Sequence, residues 1–260
     1  MNDHVEAVRR ESSRFAAVLA GIEPTDLVPS CPDWDVADLI WHLAEVQFFW
    51  ASIVEGLLDE PEEVPPFQRP APELLLEAFA VQSARLGNAL EARQPDDRCW
   101  SWHGDGHSVG WVRRRQAHEA LIHRVDAELA AGMSSELDTD LAADGVDEIF
   151  RFSLDLDNLP DWATYEPDGT TATVALSDGS ASWSMNFGRF LGSSPVSGNT
   201  YDIPALKLAS LQGLPDAVIR GEPADLDLWL WGRGPLDPLS IDGDQSIAEK
   251  LRRTAADSTK

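Results

Sequence analysis

"RRRQAHEALIHRVDAE", residues 113–128, holds two histidines and a glutamate in a spacing that decides how the chain is read. It approaches the zinc-protease pattern His-Glu-x-x-His, but the second histidine arrives one residue late. His118 and His123 are five apart, while Glu119 and His123 are four apart. At about 100° per residue, Glu119 and His123 lie roughly 40° apart on a helix and face the same way, whereas His118 lies roughly 140° from His123. Two histidines so placed cannot grip one ion, which rules out the i, i+4 histidine pair of a metalloprotease.

The Glu119 face also carries Val112, Gln116, Ala127, Ala130 and, at its edge, Asp126; Arg113, Arg124 and Glu128 point roughly the other way. A carboxylate on a small, apolar stripe is costly unless paired. A partner is available in "CPDWDVADLIWHLAE", residues 31–45, where His42 shares a helical face with Leu39, Val46, Phe49, Trp50 and Ile53. Alone, such a histidine is ordinarily a hydrogen-bonded core residue. With Glu119 and His123 it makes two buried imidazoles and one carboxylate, the set that holds catalytic zinc with a fourth position open. The same set binds ferrous iron as a facial triad.

These motifs sit on helices. The first helix is expected from about Asp3 to Ala20. The second is capped by Asp35, with Asp38 three residues on, and runs to about Leu58. A proline-rich loop leads to a third, from about Pro72 to Arg93, and the fourth runs from about Val109 until Gly132 stops it. Four long helices without strand signals predict a four-helix bundle. The second half changes period. "TTATVALSDGSASWSMNF", residues 170–187, is two strands around an Asp178-Gly179 turn. "DAVIRG" and "PLSIDGD" read as further strands, "EPADLDLWLWGRG" as a short helix and "QSIAEKLRRTAA" as a final one. The fold class expected is therefore α+β in two domains: a helical bundle over residues 1–152, and a small α+β domain with an antiparallel sheet over 153–260.

The chain of 260 residues suits two small domains. Its net charge of −25 argues against nucleic acid or an anionic membrane as partner, since no basic field attracts phosphate. Cys31 and Cys99 lack metal-ribbon spacing and are expected as thiols. The N-terminus has no apolar segment of a signal peptide, and no apolar run approaches the roughly 18 residues of a membrane span. A soluble, cytoplasmic protein is expected.

"CPDWDVADLIWHLAE" followed by "RRRQAHEALIHRVDAE" resembles the mycothiol-dependent maleylpyruvate isomerase family, whose N-terminal domain is a DinB-like four-helix bundle. "VIRGEPADLDLWLWGRGPLD" and "IDGDQSIAEKL" resemble its small C-terminal domain, related in fold to sterol-carrier modules. The resemblance implies that His42, Glu119 and His123 ligate a divalent metal, most simply zinc, and that mycothiol is the thiol cosubstrate. It places the family's C-terminal arginine on Arg233, with Arg220 available nearby. Either would serve a maleylpyruvate-like dianion, because a guanidinium fork matches a carboxylate. Thiol S-transfer to another electrophile is an equal expectation, since fold and metal do not choose between them. The alternatives are a non-enzymatic metal- or ligand-binding or regulatory protein, with Cys31, Cys99 or His118 closing a structural site, and a metal-dependent hydrolase with water at the open position. Asp126 and Glu45 are candidates to orient an imidazole, with a rim salt bridge slightly favoured for each. Arg113, Arg114 and Arg115 are assigned no role. His103 and His107 fall on a loop beside the fourth helix, and Trp34 reads as a hydrophobic staple.

Overall fold

A computed structural model describes residues 3–104, 106–154, 156 and 159–258. The chain divides into two compact units, Met1–Glu136 and Leu137–Lys260. The break lies ahead of the 152/153 boundary expected from sequence. The helix after it packs on the later helix Pro223–Trp231, and its end places Val146, Ile149 and Phe150 in the sheet unit's core.

The first unit holds α1 (His4–Leu19), α2 (Val36–Gly56), α3 (Leu75–Ala92) and α4 (Val109–Ala130). Asp3, Asp35 and Ser108 cap α1, α2 and α4 with their side chains. At Asp35 the capping box is complete: its carboxylate accepts from the Asp38 amide at 2.8 Å, and Asp38 accepts from the Asp35 amide. The helices pack α1 on α4 and α2 on α3. Phe15, Leu19, Leu39, Leu43, Leu75 and Phe79 form one fully shielded core, with the Phe15 and Phe79 rings 4.8 Å apart. Burying each such side chain contributes about 1.5–3 kcal/mol. No helix among the described residues is long and apolar enough to cross a membrane. No disulfide joins Cys31 and Cys99.

The second unit opens with α5 (Thr139–Glu148), which runs on as a π-helical turn over Ile149–Leu154. Five strands follow: β1 (Ala163–Leu176), β2 (Ser182–Ser193), β3 (Thr200–Leu208), β4 (Ala217–Gly221) and β5 (Ser240–Gly243), with α6 (Pro223–Trp231) and α7 (Gln245–Ser258). The sheet order is β3-β2-β1-β4-β5. Gly179, at φ 74°, turns the β1–β2 hairpin where Asp178-Gly179 was expected to do so. The antiparallel pairing expected holds for β1–β2, β2–β3 and β4–β5, while β1 and β4 run parallel, so the sheet is mixed. Hairpin signals are local, whereas the β1–β4 pair is set by a long crossover that leaves no turn signature. One face, with Ala172, Val174, Trp183, Met185, Phe187 and Ile219, packs on Phe150, Leu226, Leu230 and Leu251. Within residues 188–215, which the sequence pattern does not place, lie the end of β2, a turn, β3 and the loop after it. Pro204 lies in β3, an edge strand, where its missing N–H is tolerated.

Candidate metal centre

Helices α2 and α4 bring His42, Glu119 and His123 together; one ligand atom from each lies within 4.8 Å of the others. Glu119 Oε1 stands 3.4 Å from His42 Nε2 and 3.2 Å from His123 Nε2. The two imidazole rings meet edge to face at 4.8 Å. Cys31, Cys99 and His118 do not belong to this group.

Each ligand candidate has a second contact that fixes it. His123 Nδ1 is 2.9 Å from Asp126 Oδ2, and Asp126 is fully buried. With the Nδ1 proton donated to Asp126, the His123 ring is oriented and Nε2 is directed to the shared centre. Asp126 accepts in turn from the Ser30 hydroxyl at 2.5 Å, and the Cys31 sulfur lies 3.9 Å from its other oxygen. The Arg115 guanidinium donates to Glu119 Oε2 at 2.8 Å, which leaves Oε1 for the centre. Trp34 packs over the imidazoles, its ring 4.8 Å from His42 and 6.2 Å from His123. The loop is held there by backbone bonds from Val28 to Trp34 and from Trp34 to Cys31.

Burial opposes charge on both sides of the pair, and both sides are charged nonetheless. On Glu119, burial raises the carboxyl, but bonds from His123 and His42 and the charge of Arg115 hold it well below the usual carboxylate range. On His123, burial lowers the imidazole, but bonds to Asp126 and Glu119 push it up to about 9. Opposite charges in close contact thus outweigh desolvation.

The arrangement differs from the sequence expectation in three respects. His42 is not a deeply buried ligand: its side chain is 32% exposed, against 19% for Glu119 and 10% for His123. Leu39, Ile40 and Leu43 fill the core, while Trp41, His42 and Glu45 turn towards an open pocket. Asp126 is no rim residue but the buried anchor of His123, whereas Glu45 is exposed. Arg115 is buried and bonded to Glu119, not solvated, and Arg113 caps the end of α3 through the carbonyls of Leu90 and Arg93. The i, i+4 spacing of Arg115 and Glu119 was a signal that sequence reading passed over. Among the loop histidines, His107 Nδ1 lies 3.4 Å from the Ser101 amide, and neither His103 nor His107 belongs to the cluster. Arg220 and Arg233 belong to the second unit. Arg220 is exposed on β4; Arg233 follows α6, half-buried, donating to the Trp231 carbonyl at 2.5 Å.

The donors fit a divalent ion. Two imidazole nitrogens and one carboxylate oxygen converge, and a hydrogen bond holds both His123 and Glu119 from behind. Fold and cluster together define a two-domain α+β protein whose helical unit carries a two-histidine, one-carboxylate centre. The chain belongs to the mycothiol-dependent maleylpyruvate isomerase family. Residues 5–128 match the family model described as the mycothiol maleylpyruvate isomerase N-terminal domain, and residues 140–250 match the MDMPI C-terminal domain. The fold is that of a solved mycothiol-dependent maleylpyruvate isomerase and of its histidine-to-alanine variant. Each aligns over 92% of both chains at 16% identity, with a TM-score of 0.56. No curated protein matches the chain in sequence.

Proposed function

We propose that the protein is a divalent-metal-dependent enzyme that uses mycothiol as a nucleophile, either to isomerise a maleylpyruvate-like cis double bond or to transfer the thiol to an electrophile. The observation that carries this reading is the convergence of His42 Nε2, Glu119 Oε1 and His123 Nε2. These three atoms are the proposed ligands, and zinc is the simplest ion for them. A bound divalent ion would supply the charge that keeps a thiol deprotonated at neutral pH.

The chain's own residues do the rest. Asp126 and Ser30 hold the His123 ring. Arg115 holds the second oxygen of Glu119 and balances its charge. Trp34 packs against both imidazole rings. Arg220 and Arg233 are the proposed partners for the carboxylates of a dianionic substrate. In the isomerisation the thiolate adds to the double bond, the resulting single bond rotates, and expulsion of the same sulfur restores the double bond as trans. The thiol is not consumed.

The test is turnover of cis-dicarboxylates by the zinc-loaded protein with and without mycothiol. Turnover that needs both metal and mycothiol supports the reading. Hydrolysis without added thiol, or thiol-dependent turnover unchanged after complete removal of the metal, contradicts it.

A further inference from the structure

A pocket of about 360 Å³ opens beside His42, lined by Asp33, Trp34, Asp38, Trp41, His42 and Glu45. Its aromatic walls are braced. Trp34 leans on the His42 ring at 4.8 Å, and Trp41 stacks on Phe67 at 5.1 Å with 19° between the ring planes. Phe67 stacks in turn on Phe48 at 4.5 Å. Its polar walls are acidic. Arg69 donates to Asp38 at 2.7 Å, while Asp33 and Glu45 are exposed on the rim.

Ionised carboxylates only accept hydrogen bonds, so a matching ligand must bring donors. An indole face offers apolar surface to a flat ligand face. Acceptors around two indoles suit a polyhydroxylated ring, whose edge carries hydroxyl donors and whose faces carry C–H groups. Asp38 is compensated by Arg69, so the exposed Asp33 and Glu45 carboxylates are the ones that disfavour a dicarboxylate and let the lining discriminate by charge.

We propose that this pocket binds the sugar body of the thiol cosubstrate, with Trp41 and Glu45 selecting a glycosylated thiol over a simple one. The proposal rests on the metal-centre reading above, because His42 is the wall that the pocket shares with that centre. It also separates the two substrates: the thiol's polyol is received here, and a dianionic electrophile is not.

The experiment is a tryptophan-fluorescence titration of the full-length protein with S-methyl mycothiol, whose blocked sulfur cannot become a thiolate. S-methyl N-acetylcysteine, which has the same blocked sulfur but lacks the sugar, and maleate, a dianion, are run alongside. The wild-type protein is expected to bind S-methyl mycothiol saturably, and neither maleate nor the sulfur-blocked S-methyl N-acetylcysteine is expected to compete. Trp41→Ala and Glu45→Gln should each weaken binding, the former roughly ten-fold, while metal content is unchanged. Glu45 is exposed, so Glu45→Gln remains informative if Trp41→Ala fails to fold. Glu119→Ala should lose the metal yet bind S-methyl mycothiol within about two-fold of wild type. Retention of metal by Glu119→Ala would count against the metal centre, not the pocket. The proposal is overturned if the wild-type protein does not bind S-methyl mycothiol, if maleate or S-methyl N-acetylcysteine competes for the site, or if both pocket variants bind as tightly as wild type.

Discussion

Two charged clusters sit on opposite faces of α4, and they differ in the kinds of donor they hold. On the face towards α1, Arg124 bonds Glu11 at 2.9 Å and Glu128 at 2.6 Å, and Arg14 bonds Glu128 at 2.9 Å. On the other face, Glu119 meets His42, His123 and Arg115. Both clusters contain carboxylates shielded from water, so burial of charge does not distinguish them. The donors do. Guanidinium groups have no lone pair to offer an ion, and each carboxylate of the first cluster is occupied by them. The second cluster holds two imidazole nitrogens facing one carboxylate oxygen, and their mutual hydrogen bonds are replaceable by a cation. A closed ion-pair network fixes α1 to α4, whereas the imidazole–carboxylate cluster between α2 and α4 is the one that the proposed function uses.

The comparison breaks most sharply at Glu119. Glu119→Ala is expected to abolish metal binding and reduce thiol-dependent turnover to background in an activity assay. Arg124→Met should leave metal content at the wild-type level. It should cost about 3–5 kcal/mol in urea unfolding, because Glu11 and Glu128 then stay buried without their partner. An Arg124→Met protein that loses metal but not stability would invert the two roles. Asp126→Asn keeps the shape and removes the charge behind His123; zinc affinity by competitive titration should fall about 10–100-fold.

The clusters also lose stability at opposite ends of the pH range in the metal-free protein. The His123 imidazole is raised to about 9 from 6.5, so its contribution is complete below 6.5 and is lost as pH rises through about 9. Glu128 runs the other way. Burial raises its carboxyl, but Ser135, Arg124 and Arg14 hold it below 4.5; its contribution is present above 4.5 and lost as pH falls through that lowered value. Urea unfolding of the metal-free protein from about pH 2.5 to about pH 10 would check both signs. Because bound metal replaces the His123 proton, zinc uptake at pH 7.5 should release a proton, read by calorimetry in buffers of different ionisation enthalpy.

Much of this was legible in the sequence. The i, i+4 spacing of Glu119 and His123 placed them on one face, and the caps Asp35 and Ser108 start α2 and α4 close to the expected positions. What periodicity could not supply was how far His42 lies from the core centre. Asp38, Trp41 and Glu45 around it mark the outward face of α2, and Leu39, Ile40 and Leu43 the inward one. Ser30 and Trp34 were invisible as parts of the cluster because they reach it from a loop, whose path is set by tertiary contacts. The burial of Arg115, Arg124 and Glu128 was missed for a related reason: charged residues are mostly exposed, and only the partners from other turns and helices make their burial affordable.

The most direct test is the zinc stoichiometry of the purified protein measured by elemental analysis after loading and desalting, beside Glu119→Ala and His42→Ala whose folding is verified by circular dichroism. One zinc per wild-type chain and almost none in either variant is the expected result. A wild-type chain that retains no divalent ion, or variants that retain as much as wild type, would contradict the metal centre and the thiol chemistry built on it.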